Sequence, residues 1–148
     1  MATAKHADKN ADMSYGFTRT ETNPALKGRE QVLDRVVPFA LQNNIVVVVA
    51  AGNGGPGTSL DQVAPQNQGS SNIALITVGG LDNRGQFFKI TTRDRARGGS
   101  ITIHAGAKDV HIPDAQKDTG TIVDSGTSYA APAVVSSAPQ YSAYVSCQ

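Results

Sequence analysis

Ile45-Val46-Val47-Val48-Val49-Ala50 is an unbroken apolar run dominated by β-branched side chains, with no polar residue alternating through it. Branching at Cβ suits the pleated backbone, and the lack of alternation means that neither face of the strand meets water. Such a strand belongs inside a parallel sheet covered by helices on both sides. Upstream, Leu33, Val36, Val37, Ala40 and Leu41 recur at i, i+3, i+4, i+7 and i+8, which predicts an amphipathic helix within residues 25–43, stopped by Asn43-Asn44. Pro38 lies inside that pattern and predicts a kink or a late start.

Downstream of the valine run, residues 52–71 read as a long polar loop, and Ile73 to Val78 as a second apolar strand. Asp82-Asn83-Arg84-Gly85 is a turn, Gln86 to Ile90 a strand candidate, Thr91 to Gly99 a charged loop, and Ile101-Thr102-Ile103 a return to β structure. Lys108 to Asp118 reads as loop, Thr121-Ile122-Val123 as strand and Asp124-Ser125-Gly126 as turn. A helix then covers Ser128 to Val135 and is expected to end near Pro139. Before all of these, Met13-Ser14-Tyr15-Gly16-Phe17 reads as a strand end closing at glycine, and Thr20 to Pro24 as loop. Strand, helix and strand in alternation predict an α/β fold.

The chain has 148 residues, enough for one domain that buries roughly 70% of its unfolded surface. Thirteen Lys and Arg against 12 Asp and Glu give a net charge of +1, so no electrostatic pull toward nucleic acid or an anionic membrane is expected. No run reaches the ~18 apolar residues of a membrane span, and Met1 to Asn10 lacks the apolar core of a secretory signal. A soluble chain is expected, its compartment unspecified. The single cysteine, Cys147, excludes an internal disulfide and a cysteine-based zinc site; no metal and no cofactor are expected.

Three segments carry chemistry. In Gly126-Thr127-Ser128-Tyr129-Ala130-Ala131-Pro132, a serine at a helix start exposes its hydroxyl at the positive end of the helix dipole, where its own N–H can donate to a developing oxyanion. The same residues also suit an ordinary serine N-cap. In Ala50-Ala51-Gly52-Asn53-Gly54, an asparagine stands just past the carboxyl end of the buried strand, where open α/β sheets bind ligands. Its NH2 can serve an oxyanion, and Asn-Gly is equally a common turn pair. Met13-Ser14-Tyr15-Gly16 is a strand end that can pair with an extended peptide.

Two other chemistries fail on spacing. Gly52-Asn53-Gly54-Gly55-Pro56-Gly57 matches Gly-x-Gly-x-x-Gly, but Thr58 to Asn72 has no helical stripe and contains Pro65 and Gly69, so a nucleotide site is rejected. An α/β-hydrolase elbow around Ser128 requires a later histidine, and none follows it.

Taken in order, the three segments resemble the subtilisin-like serine proteases, over most of Asp12 to Val135. The resemblance implies a three-layer α/β/α fold with a mostly parallel sheet. It implies Ser128 as nucleophile and Asn53 as oxyanion donor, with Ser14, Tyr15 and Gly16 along the peptide and Ala51 and Gly52 walling the pocket before the scissile bond. The substrate it implies is a peptide or protein. Members of the family are mostly secreted or in lytic compartments.

The family's triad aspartate and histidine precede the Met-Ser-x-Gly strand. Only residues 1–12 precede it in this sequence, without Asp-Ser/Thr-Gly or His-Gly-Thr. The chain is therefore expected to be one partial domain, residues 1–148, corresponding to the C-terminal half of a catalytic domain. It is expected to bind peptide weakly and hydrolyse it negligibly, and to be marginally stable, aggregating or dependent on a partner segment such as a complementary N-terminal half. His6 reads as a solvated terminal residue. His104 and His111 flank Ala105-Gly106-Ala107, which replaces the family's Ala-Pro-Gly, and neither is expected to act as base. Ser136 takes the place of a small residue of the supporting helix. The alternative to a protease is a noncatalytic protein that keeps the peptide groove.

Overall fold

The computed structural model describes residues 10–13, 17–18, 45–55, 63–64, 75–92, 101–117 and 119–145, together with most of 31–43. Its centre is a four-stranded, wholly parallel sheet in the order β1 (Asn10–Met13), β3 (Val46–Ala50), β5 (Leu75–Leu81), β6 (Ile103–Gly106). The valine run is thus an interior strand with a neighbour on each edge. Val47, Val48 and Val49 are each at most 1% exposed, and burying one such side chain stabilises the fold by about 1.5–3 kcal/mol.

Alternation along β3 divides the core into two layers. Val47 and Val49 pack with Leu75 against Val37 and Ala40 of α1, the helical residues between 31 and 42. Val48 and Ala50 pack with Val78, Phe88 and Ala107 against Ala130 and Ala131 of α2 (Thr127–Val145). Helices on both faces of a parallel sheet make the expected three-layer α/β/α arrangement. Among the described residues, no helix is long and apolar enough to cross a membrane.

In α1, Val37 and Ala40 are buried as the sequence pattern requires, while Leu33, Val36 and Leu41 lie outside the described residues. Pro38 stands on the exposed face, and the backbone is helical on both sides of it. Asn43 does stop the helix: its amide Nδ2 donates to the Phe39 carbonyl at 2.8 Å, and Ile45 N donates back to Ala40 O at 2.8 Å.

Several expectations are corrected. Gln86 to Ile90 is not a strand; Phe87 makes one antiparallel bridge to Leu81, and Thr91 N then turns back onto Phe88 O at 2.9 Å. Lys108 to Asp118 is not all loop, because β7 (Val110–Pro113) pairs antiparallel with β8 (Thr121–Asp124). The long segment after Gly52 contains β4 (Val63–Ala64), antiparallel to β2 (Phe17–Thr18). The second apolar strand runs on to Leu81, and the third starts only at Ile103, although Thr102 N already bonds Thr77 O at 2.8 Å. Helix α2 continues past Pro139 to Val145: a proline removes one donor and crowds one carbonyl, which bends a helix without ending it.

His104 pairs in register with Gly79, one residue beyond Val78, so it lies on the face of the sheet opposite α2. Gly79 makes room for the imidazole, since a Cβ there would come within 2.6 Å of its Cδ2, and the Phe87 ring lies against it, tilted by 48° with centroids 4.8 Å apart. Burial holds the His104 pKa below its ordinary value. The unfolded chain, with a histidine pKa of about 6.5, takes up the proton first, so stability falls with pH between about 6.5 and the lower folded value and then levels off. Urea midpoints at pH 7.5 and 5.5 are expected to differ less in His104→Gln than in the unmodified chain. Equal differences would place the imidazole in water.

Candidate active site

The loop at residues 51–55 leaves the carboxyl end of β3 and meets the first turn of α2 there. Gly52 makes the bend at φ 93°, a conformation costly for any residue with a Cβ. Threonines from two distant segments fasten the loop. Thr127, fully buried, accepts from Gly52 N at 3.0 Å through Oγ1. Thr92, 1% exposed, donates through its backbone N to Gly52 O at 2.9 Å and accepts from Gly54 N at 3.2 Å.

Between those anchors stands Asn53, exposed. Its Oδ1 accepts from both Thr127 N, at 2.9 Å, and Thr127 Oγ1, at 3.1 Å. An amide whose oxygen is engaged twice has its orientation fixed, and its NH2 group is then the end presented elsewhere. A Cβ on Gly126 would lie 3.1 Å from Asn53 Nδ2, so the missing side chain leaves space where that NH2 sits.

Ser128 is the second residue of α2 and half-buried. Gly126 N donates to Ala107 O at 2.8 Å, tying the turn before it to the core. No acidic residue occurs in the first turn of α2, so nothing within that turn offsets the positive end of the dipole. Pro132 has no N–H to give to the carbonyl four residues earlier, that of Ser128.

Of the residues picked out from sequence, Ala51, Gly52, Asn53 and Ser128 therefore fall on two adjoining segments. Ala51 is fully buried and bonds Val78 O through its N at 2.8 Å. Ser14, Tyr15, Gly16 and His6 lie outside the described residues. His104 faces away from α2, and His111 is exposed on β7 opposite Val123. Sequence reading missed the anchoring roles of Thr127 and Thr92. Thr127 had a signal, as the middle residue of Gly-Thr-Ser; Thr92 had none, its partner being 38 positions away. A cavity of about 320 Å³ bordered by Phe87, Phe88, Thr92 and His104 is lined by neither Asn53 nor Ser128. Among the described residues, no group of three or more His, Cys, Asp or Glu could hold a metal ion.

Residues 4–143 match the model of the subtilase family, peptidase S8. The alkaline extracellular protease of Yarrowia lipolytica is 34% identical over 106 residues, 69% of this chain and 22% of that protein. The self-cleaved protease domain of PatA superposes with a TM-score of 0.58 at 25% identity, over 84% of this chain and 42% of the other. A lanthipeptide protease gives a TM-score of 0.61 at 18% identity, over 86% and 44%. The chain thus spans about a fifth of the curated relative and under half of these structures. A parallel sheet with helices on both faces, a Gly-Thr-Ser helix start locked to an asparagine loop, and a family match over nearly the whole chain agree: the chain belongs to the subtilase family of serine proteases.

Proposed function

We propose that the chain supplies the nucleophile and the oxyanion site of a subtilisin-like endopeptidase, the C-terminal half of its catalytic domain. Ser128 Oγ attacks the carbonyl carbon of a peptide bond, and its proton passes to a histidine supplied by a complementary segment. The negative charge that develops on the carbonyl oxygen is met by the Ser128 N–H and the Asn53 NH2. The C–N bond then breaks as the amine takes the proton, and water releases the acyl group from Ser128 Oγ. Ser14, Tyr15 and Gly16 hold the substrate as an added strand, with Ala51 and Gly52 beside the residue before the scissile bond.

The observation that carries this reading is the double engagement of Asn53 Oδ1 by Thr127, the residue before Ser128. A turn asparagine needs no such lock, whereas an oxyanion donor must be oriented before charge develops. Without a base, a serine hydroxyl is a poor nucleophile at neutral pH, so the chain alone is expected to cleave peptides negligibly.

A serine-directed fluorophosphonate probe tests this, applied to the chain alone and mixed with an Asp- and His-bearing N-terminal half of a related protease. Labelling is expected only in the mixture and is lost in Ser128→Ala. No labelling in either sample would favour a noncatalytic peptide-binding protein, and labelling of the chain alone would reveal a base within it.

A further inference from the structure

Ser128 is followed directly by Tyr129, whose phenol donates to the Asp124 carboxylate Oδ2 at 2.5 Å. The other oxygen, Oδ1, accepts from Ser125 N at 2.7 Å. Asp124 closes β8 and is exposed, and among the described residues no lysine or arginine pairs with it. An ionised carboxylate offers about four acceptor positions, of which these bonds take two.

These bonds hold the carboxyl pKa below its ordinary value, the Tyr129 phenol first and the Ser125 N–H second. The reciprocal effect raises the Tyr129 pKa, chiefly through the same hydrogen bond, so the phenol stays a donor at neutral pH. The result is a fixed negative charge that, among the described residues, has no lysine or arginine paired with it. Its anchor, Tyr129, is the residue that follows Ser128 in the first turn of α2. At physiological salt, screening acts over about 8 Å, so the carboxylate acts on those ligand side chains that come within that range of it.

We propose that Asp124, clamped by Tyr129, makes this site select peptides with lysine or arginine beside the bond presented to Ser128, and disfavour glutamate or aspartate there. The inference rests on the reading of Ser128 as the substrate-facing residue. Selection works in both directions: a cationic side chain gains an ordered partner, and an acidic one meets a like charge. A purely structural role, in which the carboxylate only steadies the start of α2, predicts no dependence on ligand charge.

The test is a titration of the full chain with blocked extended peptides, identical except for one position, walked along the peptide as lysine, norleucine or glutamate. At one position, lysine is expected to bind about five- to tenfold more tightly than glutamate, a ratio that shrinks at high salt. Asp124→Asn is expected to bring the ratio close to one, Asp124→Glu to restore most of it, and Tyr129→Phe to leave an intermediate value. NMR titration of the Tyr129 ring checks the clamp in solution: its pKa should fall back toward about 10 in Asp124→Asn. A ratio unchanged in Asp124→Asn, with Tyr129 titrating normally in the unmodified chain, overturns the proposal and leaves the protease reading intact. Failure to bind any peptide, with Gly16→Glu indistinguishable from the unmodified chain, overturns both.

Discussion

Asn53→Asp is expected to slow fluorophosphonate labelling of Ser128 in the assembled pair by at least about 10²–10³-fold, the scale known in subtilisin itself for loss of the oxyanion asparagine. The substitution is chosen from the geometry. Asn53 has two jobs on its two amide atoms: Oδ1 accepts from Thr127 N and Oγ1, and Nδ2 is the end left to donate. Leucine would remove both, leaving the polar atoms of fully buried Thr127 short of an acceptor at a cost of about 1–3 kcal/mol. A slow reaction would then be confounded with a damaged fold. Aspartate keeps the acceptor and the shape, and its charge near the start of α2 is favourable to the helix. It replaces only the donor, by an oxygen that repels the developing oxyanion. Thermal unfolding of Asn53→Asp should therefore stay within a few degrees of the unmodified chain while labelling collapses. Labelling within threefold of normal would remove Asn53 from the oxyanion site and leave Thr127 as a purely structural partner.

What could be read from the sequence follows from how locally each feature is specified. Burial of β3 on both faces is written into Val46–Ala50 itself, and the positions of Val37 and Ala40 on one side of α1 follow from helical spacing alone. Strand β7 was missed because Val110-His111-Ile112-Pro113 is short and sits among polar residues. Its strand state depends on pairing with β8, which local composition does not encode. Gln86 to Ile90 failed for the converse reason: its composition suits a strand, but the chain turns back at Phe88 before a ladder can form. At the candidate site, the motifs single out Asn53 and Ser128, and the structure puts their two segments side by side. The lock that makes them one unit joins residues 74 positions apart, and the second fastening comes from Thr92, beyond any local pattern. Asp124 was legible only as a turn residue, because nothing in Asp124-Ser125-Gly126 shows that the tyrosine five positions on reaches back to it.

Gly80→Ala is expected to destabilise the chain by about 2–3 kcal/mol, although it adds a single methyl group. A Cβ on Gly80 would lie 2.7 Å from Ala107 Cβ, 3.0 Å from Thr91 Oγ1 and 3.3 Å from Phe88 Cβ. None of these can retreat cheaply. Phe88 N donates to Gly80 O at 2.9 Å, and Thr91 Oγ1 accepts from Gly80 N at 3.2 Å. Ala107, fully buried, is held by its N to Leu81 O at 2.9 Å and by its O to Gly126 N at 2.8 Å. The bare backbone of Gly80 is what accommodates the methyl group of Ala107. The double variant Gly80→Ala with Ala107→Gly moves the methyl across the contact and should recover a large part of the loss, a coupling that independent sites would not show. For a chain of this length, 2–3 kcal/mol corresponds to a fall in Tm of about 4–12 °C, measured by circular dichroism on the two single variants and the pair. Strict additivity would mean that the sheet relaxes around Gly80. Recovery would show that the core contact and the Gly126 turn before Ser128 are set by the same pair of small residues.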